Sequence, residues 1–349
     1  MPRRIELRSD NAAGVAPEIM AAVVAAGEGS ALAYGGDEWS ARLRERVADV
    51  FEYPDVTVFP VASGTAANAL GLAALTPPWG AVLCHETAHI LNSEGGATSM
   101  FGGGAVMRGL AGPSSKLVPS SVRELYDQTW WGDPHHSQPA VVSLTCPTDH
   151  GAVYTSAEVA ALAEVAAEHS LHVHMDGARI ANAIDVLGCR PSELTWRAGV
   201  DVLSLGATKN GALSTDAIVC FDQRAGEELV YRTKRAGHVA SKMRFQSAQL
   251  DAYLTDDLWL RLAATANRAM AIIAAGIEGL DIQVVGEPEV NMMFARVPVG
   301  ASARLAECGL LFYEMGGDAA GELVRFVTSF QTTSADADEV VRRIAAAVA

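Results

Sequence analysis

Three short segments of the sequence carry side chains that could do chemistry together. Lys209 stands between two apolar runs, 202–205 and 217–221, among small residues. Asp176 ends another apolar run, and Ser-Gly-Thr at 63–65 leads from a β-branched run into an alanine-rich one. Each feature alone has an ordinary explanation as a solvated loop lysine, a helix cap or a turn. Together they are more specific, because ligands bind outside the carboxyl ends of parallel strands.

These side chains match what pyridoxal 5'-phosphate needs from a protein: an amine, an acid for its pyridine nitrogen and a phosphate cradle. A helix N-terminus at Ser63, Gly64 and Thr65 would offer free N–H groups to the phosphate. Asp176 would pair with the ring nitrogen. Lys209 would form the Schiff base, since an amine in an apolar cleft near other cations has a lowered pKa and becomes nucleophilic.

The elements around these residues predict an α/β protein. Strands alternate with helices as far as residue 205, which indicates a mostly parallel sheet with helices on both faces. The predicted helices are 17–26, 42–51, 66–75, 156–169 and 178–187, and the predicted strands are 56–59, 81–84, 141–144, 171–175 and 202–205. Ser156 is the expected N-cap of its helix.

The pattern changes near residue 257, which predicts a second, smaller α+β domain. A long helix is followed by short strands at 282–285, 292–297 and 323–327 and by a final helix at 335–348. We therefore expect an N-terminal arm and large cofactor-binding domain over 1–255, and a small C-terminal domain over 256–349.

Composition excludes several classes of function. The net charge of −15 argues against a nucleic-acid partner, because phosphate would be repelled. Residues 1–11 lack the apolar stretch of a signal peptide, and the apolar segment 258–280 is interrupted by polar residues, so no membrane span is expected. The five cysteines are scattered and show neither metal-site spacing nor a disulfide framework. We expect a cytoplasmic enzyme.

The sequence resembles the low-specificity L-threonine aldolases, which are pyridoxal-phosphate enzymes of fold type I, the aspartate-aminotransferase-like fold. The resemblance covers nearly the whole chain, with motifs in the same order. It is carried by LRSDN (7–11), YGGDE (34–38), SGTAAN (63–68), AHILNSEGGA (88–97), HMDGARIANA (174–183), KRAGHVASKMRF (234–245) and DDLWLRLAATAN (256–267).

The resemblance implies a role for each matching residue. Lys209 would be the Schiff-base lysine and Asp176 the pyridinium partner, while His89 would stack on the ring. Gly64, Thr65 and Thr208 would hold the phosphate, Ser9, Arg179 and Arg325 would grip the substrate carboxylate, and Arg244 would reach a phosphate of its own or a neighbouring subunit. Tyr34 would lie near the phosphate at a subunit boundary, and His135 or His136 would approach the substrate hydroxyl.

Some features leave alternatives open. Many family members have Leu-Glu-Asn-Thr-His where this chain has LTCPTDHG (144–151), so Thr145 replaces the glutamate. His89 could be an ordinary buried histidine, and Arg325 could form an inter-domain ion pair. His172 and His174 share a strand face with Asp176 at metal-ligand spacing, but strand alternation explains that pattern and we predict no metal site.

The implied reaction is the retro-aldol cleavage of a β-hydroxy-α-amino acid, such as L-threonine, L-allo-threonine or phenylserine, to glycine and an aldehyde. The base that takes the hydroxyl proton would be His89, His135, His136 or a held water. Alternatives are β-elimination, aldol transfer, or a pyridoxal-phosphate-binding module without catalysis. The resemblance also implies a homo-oligomer, dimer or tetramer, with shared active sites.

Overall fold

A seven-stranded mixed sheet forms the centre of the computed structural model, which describes residues 3–128 and 131–348. Its strand order is β2-β8-β7-β6-β5-β3-β4. These strands are β2 (Thr57–Val61), β3 (Gly80–His85), β4 (Val106–Leu110), β5 (Gln138–Thr145), β6 (His172–Gly177), β7 (Val202–Leu205) and β8 (Asp216–Cys220). Strands β4, β3, β5, β6 and β7 are parallel, whereas β8 is antiparallel to both of its neighbours.

Helices cover both faces of this sheet, as the alternating pattern predicts. Strands β3, β7 and β8 are buried along their whole length, which explains why they are continuous apolar runs in the sequence. The helices are α1 (Pro17–Ala26), α2 (Glu38–Phe51), α3 (Gly64–Leu75), α4 (His89–Asn92), α5 (Ala97–Phe101), α6 (Pro119–Gln128), α7 (Ser156–Glu168), α8 (Ile180–Leu187), α9 (Pro191–Leu194), α10 (Gln223–Arg235), α11 (Arg244–Leu254), α12 (Leu258–Gly276), α13 (Ala301–Glu307) and α14 (Ser334–Val348).

A second sheet of four antiparallel strands follows in the order β12-β13-β10-β9. Its strands are β9 (Gln283–Val285), β10 (Met292–Val297), β12 (Tyr313–Asp318) and β13 (Gly321–Val327). A short parallel pair joins β1 (Ile5–Glu6) to β11 (Leu310–Leu311). Ile5 and Leu7 consequently pack into the same core as α12, α14 and the second sheet, which fixes the N-terminal segment beside β13.

The sheet register places the predicted site residues side by side. Thr145 at the end of β5 lies opposite Asp176 on β6, and Asp176 lies opposite Ser204 on β7. Because the three strands run in parallel, the loops that follow them open on one edge of the sheet.

The structure corrects one capping assignment. Thr155, not Ser156, is the N-cap of α7, and its hydroxyl accepts from the Glu158 backbone N–H at 3.2 Å. The Glu158 carboxylate accepts in turn from the Thr155 N–H at 2.7 Å, which completes a capping box. Ser156 and Thr155 are both good caps, so only the reciprocal geometry with Glu158 decides between them.

The sequence pattern also missed some elements, among them β4, α11 and the exposed strand β12. In the two described ranges, no helix has the length and hydropathy needed to cross a bilayer.

We expect Thr155→Ala to lower the free energy of unfolding by about 1 kcal/mol, because the Glu158 N–H loses its acceptor and the Glu158 carboxylate loses the hydroxyl that donates to it. Ser156→Ala is the matched control and should change it by less than about 0.5 kcal/mol. Urea unfolding followed by circular dichroism measures both. A larger loss for the Ser156 variant would contradict the cap assignment.

Candidate active site

The parallel strands β5, β6 and β7 end at a cleft with a cavity of about 360 Å³. Loops after these strands form one wall, the N-terminus of α3 forms another, and residues 9–11 and Arg325 of β13 close the cleft. Ten of the residues predicted for the site line this cavity. They are Ser9, Ser63, Gly64, Thr65, His89, Asp176, Arg179, Thr208, Lys209 and Arg325.

Lys209 lies on a tight 3₁₀ turn immediately after β7. The turn is held from both sides: Asp216 Oδ1 accepts from the Thr208 N–H at 3.0 Å, and the Asn210 amide donates to the Tyr253 hydroxyl at 2.9 Å. Burial, and then the nearby Arg179 charge, lower the pKa of the Lys209 amine. A nucleophilic neutral amine is therefore easier to form here than in water.

The turn also requires glycine at position 206. A Cβ at Gly206 would lie 2.2 Å from the carbonyl oxygen of Ala178, so any side chain would force β7 away from the loop after β6. This close approach keeps Lys209 and Asp176 facing one cavity.

Asp176 ends β6 and is 3% exposed. Its Oδ2 accepts from the Asn68 amide at 3.0 Å, and its Oδ1 accepts from the Ala178 N–H at 3.0 Å. The same Asn68 nitrogen donates to Glu94 Oε1 at 2.9 Å, and that oxygen also lies 2.9 Å from His89 Nδ1. The bond to Glu94 raises the pKa of the His89 imidazole. His89 is thus held by a specific network that reaches Asp176.

The N-terminus of α3 offers unused donors to the cleft. Ser63 caps the helix by accepting from the Ala66 N–H at 3.3 Å. In the described part of the chain, the N–H groups of Gly64 and Thr65 have no hydrogen-bond partner. The space beyond Gly64 is open, with no atom within 4 Å of a Cβ built there. Unpartnered N–H groups at a helix N-terminus are a binding site for phosphate.

The donors in the cleft fit pyridoxal 5'-phosphate. An amine with a lowered pKa, a buried carboxylate and a helix N-terminus with free N–H groups converge on one cavity, as this cofactor requires. Lys209, Asp176 and the α3 N-terminus would hold it.

Two arginines form a positive end of the cleft. Arg179 is bound to Asp10 by two hydrogen bonds, from Nε at 2.6 Å and from Nη2 at 2.9 Å. Asp10 is 2% exposed and also accepts from the Asn291 amide at 3.1 Å. Although burial opposes ionisation, Arg179 holds the pKa of Asp10 below its ordinary value. Asp10 therefore fixes the guanidinium of Arg179, and its negative charge offsets part of the positive charge of that guanidinium.

Arg325 lies across the cleft from the sheet, on β13. Its Nη2 donates to the Arg8 carbonyl at 3.2 Å, and its guanidinium lies 5.1 Å from the centre of the Tyr313 ring. Among the described residues it forms no ion pair, and its buried Nε has no partner. Burial and the neighbouring Arg179 lower the pKa of Arg325. The alternative of an inter-domain ion pair is therefore wrong for the described residues, and an anion between the two arginines would offset their mutual repulsion.

Four predicted site residues do not line this cleft. Tyr34 is 59% exposed, lies 4.6 Å from the Lys234 amine and lines a separate cavity of about 210 Å³. Arg244 begins α11, with its guanidinium 5.3 Å from the Phe245 ring. His135 and His136 lie in the turn region before β5. Their roles stay predictions: the role of Tyr34 is at a subunit boundary, and that of Arg244 is toward the phosphate of its own or a neighbouring subunit.

Sequence reasoning missed several residues of the cleft: Asp10, Asn68, Glu94 and Asp149. Asp149 lies in the segment 144–151 that departs from the common family pattern. Its Oδ2 accepts from the His89 backbone N–H at 3.2 Å. Burial, and then the nearby Asp176 charge, raise the pKa of Asp149 to about 6.

The histidines of β6 have partners of their own. His174 is fully buried between Ser143, 2.8 Å from Nδ1, and Ser204, 3.1 Å from Nε2. Burial lowers the pKa of His174 to about 4, so the ring is neutral. His172 is the first residue of β6, and its Nδ1 lies 3.3 Å from Asp201 Oδ2.

Comparison with known proteins agrees with this geometry. Residues 6–299 match the family model of the beta-eliminating lyases. The low-specificity L-threonine aldolase of Pseudomonas aeruginosa is 40% identical over 342 residues, which cover 97% of this chain and 96% of that protein. That of a Pseudomonas species is 38% identical, covering 98% and 97%.

Solved structures show the same fold. The threonine aldolase of Leishmania major superimposes with a TM-score of 0.91 at 24% identity, covering 99% of both chains. The aspartate aminotransferase of Thermus thermophilus superimposes with a TM-score of 0.68 at 17% identity, covering 99% of this chain and 92% of that one. By its identity to full-length relatives and its match to the family model, the chain belongs to the low-specificity L-threonine aldolases, within the beta-eliminating lyases.

Proposed function

We propose that this protein cleaves L-threonine, L-allo-threonine and related β-hydroxy-α-amino acids such as phenylserine to glycine and an aldehyde by a retro-aldol reaction. The observation that carries the proposal is the convergence of Lys209, Asp176 and the α3 N-terminus on a cleft whose other end carries Arg179 and Arg325. This arrangement suits a small amino acid bound beside pyridoxal 5'-phosphate. The two Pseudomonas relatives are named low-specificity L-threonine aldolases.

The cofactor is pyridoxal 5'-phosphate. When bound, it supplies an electron sink for the bond that breaks at the α-carbon of the substrate. Asp176 would keep a proton on the pyridine nitrogen, and the Asn68 amide, by donating to the same carboxylate, keeps Asp176 in place. The N–H groups of Gly64 and Thr65, with the Thr208 hydroxyl, would bind the phosphate. Lys209 would provide the amine that carries the cofactor between turnovers.

The two arginines bind and orient the substrate carboxylate. Arg179 is already fixed by Asp10, so it loses little side-chain freedom when an anion arrives. Arg325 approaches from β13, and Ser9 completes the grip. Because the carboxylate is fixed, the position of the α-carbon is fixed too, and this decides which of its bonds is broken.

Product analysis tests the proposal directly. Threonine, allo-threonine, serine and phenylserine are incubated in both enantiomers, and the products are identified. An aldehyde with glycine supports retro-aldol cleavage. A keto acid with ammonia would support β-elimination instead, and no product with any substrate would support a binding module.

The same proposal covers the domain organisation, the oligomeric state and the cellular location of the protein. Residues 1–255 form the cofactor-binding domain with its N-terminal arm, and residues 256–349 form the small domain that contributes Arg325. The protein is a cytoplasmic homo-oligomer, a dimer or homotetramer, in which Tyr34 acts at a subunit boundary. Arg244 reaches the phosphate of its own or a neighbouring subunit, and His135 or His136 approaches the substrate hydroxyl. The exposure of Tyr34 and its place outside the cleft of its own chain support this view.

Lys209→Ala should abolish the visible absorbance of the bound cofactor and almost all turnover, because no other amine in the described cleft can replace it. Lys242→Ala, which changes an exposed lysine, is the control and should keep both. Absorption spectra of the purified proteins and the rate of aldehyde release measure the two effects. Normal turnover by the Lys209 variant would falsify the assignment.

Arg325→Ala should raise the KM for threonine and weaken glycine binding by about tenfold or more, because one charged hydrogen-bond partner of the carboxylate is lost. Cofactor should remain bound, since the phosphate cradle lies at the other end of the cleft. Arg296→Ala, which breaks an ion pair with Asp318 on the same sheet, is the matched control. Spectral titration with glycine measures the affinity, and an unchanged affinity would remove Arg325 from the site.

Mixed oligomers test the shared site. The Tyr34→Ala and Lys209→Ala chains should each be nearly inactive alone. Unfolded together and refolded, they should regain about a quarter of the wild-type rate per subunit, because half of randomly formed dimers are hybrids with one complete site. Refolding of each variant alone is the control. If the mixture stays as inactive as its components, Tyr34 does not act across a subunit boundary.

A further inference from the structure

Four carboxylates line the described cleft, and three of them hold other parts of the site in place through hydrogen bonds. Both oxygens of Asp176 accept hydrogen bonds, and Asp216 holds the backbone of the Lys209 turn. Glu94 accepts from Asn68 and His89 through Oε1, while its Oε2 is sealed in the interior. The fourth carboxylate, Asp149, has a different environment.

Asp149 presents one uncommitted oxygen to the cleft. Its Oδ2 accepts from the His89 N–H, the first helical residue of α4. Its Oδ1 has no hydrogen-bond partner within residues 3–128 and 131–348, and it is not sealed in the interior. Asp149 also forms no ion pair in that part of the chain. Its charge is therefore available to a bound molecule.

The surroundings of Asp149 place it on the substrate side of the cleft. Its charge acts on Arg179 and Arg325, the two guanidiniums at the carboxylate-binding end. Asp216, by contrast, binds the backbone N–H groups of Ala207 and Thr208 beside the phosphate cradle. Of these two carboxylates, Asp149 is therefore the one associated with the arginine end of the cleft.

We propose that Asp149 is the base that takes the β-hydroxyl proton of the substrate. This inference rests on the proposed function and names a residue for a step that the sequence left to a histidine or a water. The proton passes from the hydroxyl oxygen to Asp149 Oδ1, and the O–H electron pair becomes the second bond of the aldehyde carbonyl. The Cα–Cβ pair stays with the glycine fragment, which takes up one proton in its place, and Asp149 then releases its proton to water.

The titration of Asp149 agrees with this role. Burial and Asp176 raise its pKa to about 6, so it is ionised at neutral pH yet is a stronger base than an ordinary carboxylate. The charged and titratable groups that face it from the surrounding elements are Asp176, His89, Arg179, Arg325 and Cys84. His89 is less suited to accept the proton, because its Nδ1 is already engaged with Glu94 and because Glu94 favours the protonated ring, which has no lone pair left to accept a proton.

The test uses the holoenzyme of Asp149→Asn. An asparagine oxygen still accepts from the His89 N–H, so α4 keeps its position, but the side chain no longer accepts a proton. The rate of aldehyde release from threonine should fall by about 100-fold or more. The wild-type kcat/KM should decrease as pH falls through about 6, since the base must be ionised in the free enzyme. This acid limb should be absent in the variant.

A second reaction separates a base from a structural residue. Glycine has no hydroxyl and no Cβ, so exchange of its α-hydrogen with deuterated water, followed by proton NMR, does not need Asp149. Exchange and glycine binding, measured by spectral titration, should stay within about threefold of wild type. Asp49→Asn, an exposed carboxylate on α2, is the control for removal of a negative charge and should leave all rates unchanged.

Two results would overturn the inference. Cleavage by Asp149→Asn at a rate within threefold of wild type would show that another group accepts the proton. An equal loss of cleavage and glycine exchange would show that Asp149 only positions His89. If Asp149→Asn does not retain cofactor, the same comparison is made with Asp149→Ser. Failure of the proposed function is seen separately, as the absence of aldehyde from the wild-type enzyme.

Discussion

One side-chain amide, that of Asn68, holds together the centre of the site. Asp176 and Glu94 are both buried, and two buried carboxylates repel each other and lose hydration unless donors compensate them. Asn68 Nδ2 donates to Asp176 at 3.0 Å and to Glu94 at 2.9 Å. The same Glu94 oxygen lies 2.9 Å from His89 Nδ1. His89 is expected to stack on the cofactor, and Asp176 is expected to keep its pyridine nitrogen protonated. One neutral group therefore positions both residues.

The location of Asn68 on α3 gives this network a second consequence. The helix starts at Gly64, so its N-terminal N–H groups face the cleft while Asn68 reaches the strand end one turn later. A shift of α3 along its axis would disturb the phosphate cradle and the Asp176 carboxylate together. The helix packs against β6, β7 and β8, which ties both ends of the cofactor site to the sheet.

Local sequence signals predicted the parts of the site that lie at strand ends. The apolar runs before Asp176 and Lys209 fixed two parallel strands, and parallel strands bring their carboxyl ends to one edge whatever the rest of the fold does. Partners from distant segments left no such signal. Asp10 meets Arg179 from 169 residues away and Asn68 meets Asp176 from 108 residues away, and neither pair has a spacing that periodicity can detect. The role predicted for Tyr34 involves a subunit boundary, which one chain does not describe.

The arginine end and the lysine of the cleft are coupled by charge. Arg179 lowers the proton affinity of Lys209, and Asp10 works in the opposite direction. Burial is the larger cause of the lowered pKa of Lys209, and full neutralisation of Arg179 by Asp10 would remove the second cause. Without Asp10, the buried guanidinium would be unpaired and costly. An anion bound between Arg179 and Arg325 offsets their positive charge, which raises the pKa of Lys209. Binding of the substrate carboxylate therefore makes Lys209 a better proton acceptor. The buried Asp10–Arg179 pair thus sets the balance between holding the carboxylate and keeping the amine reactive.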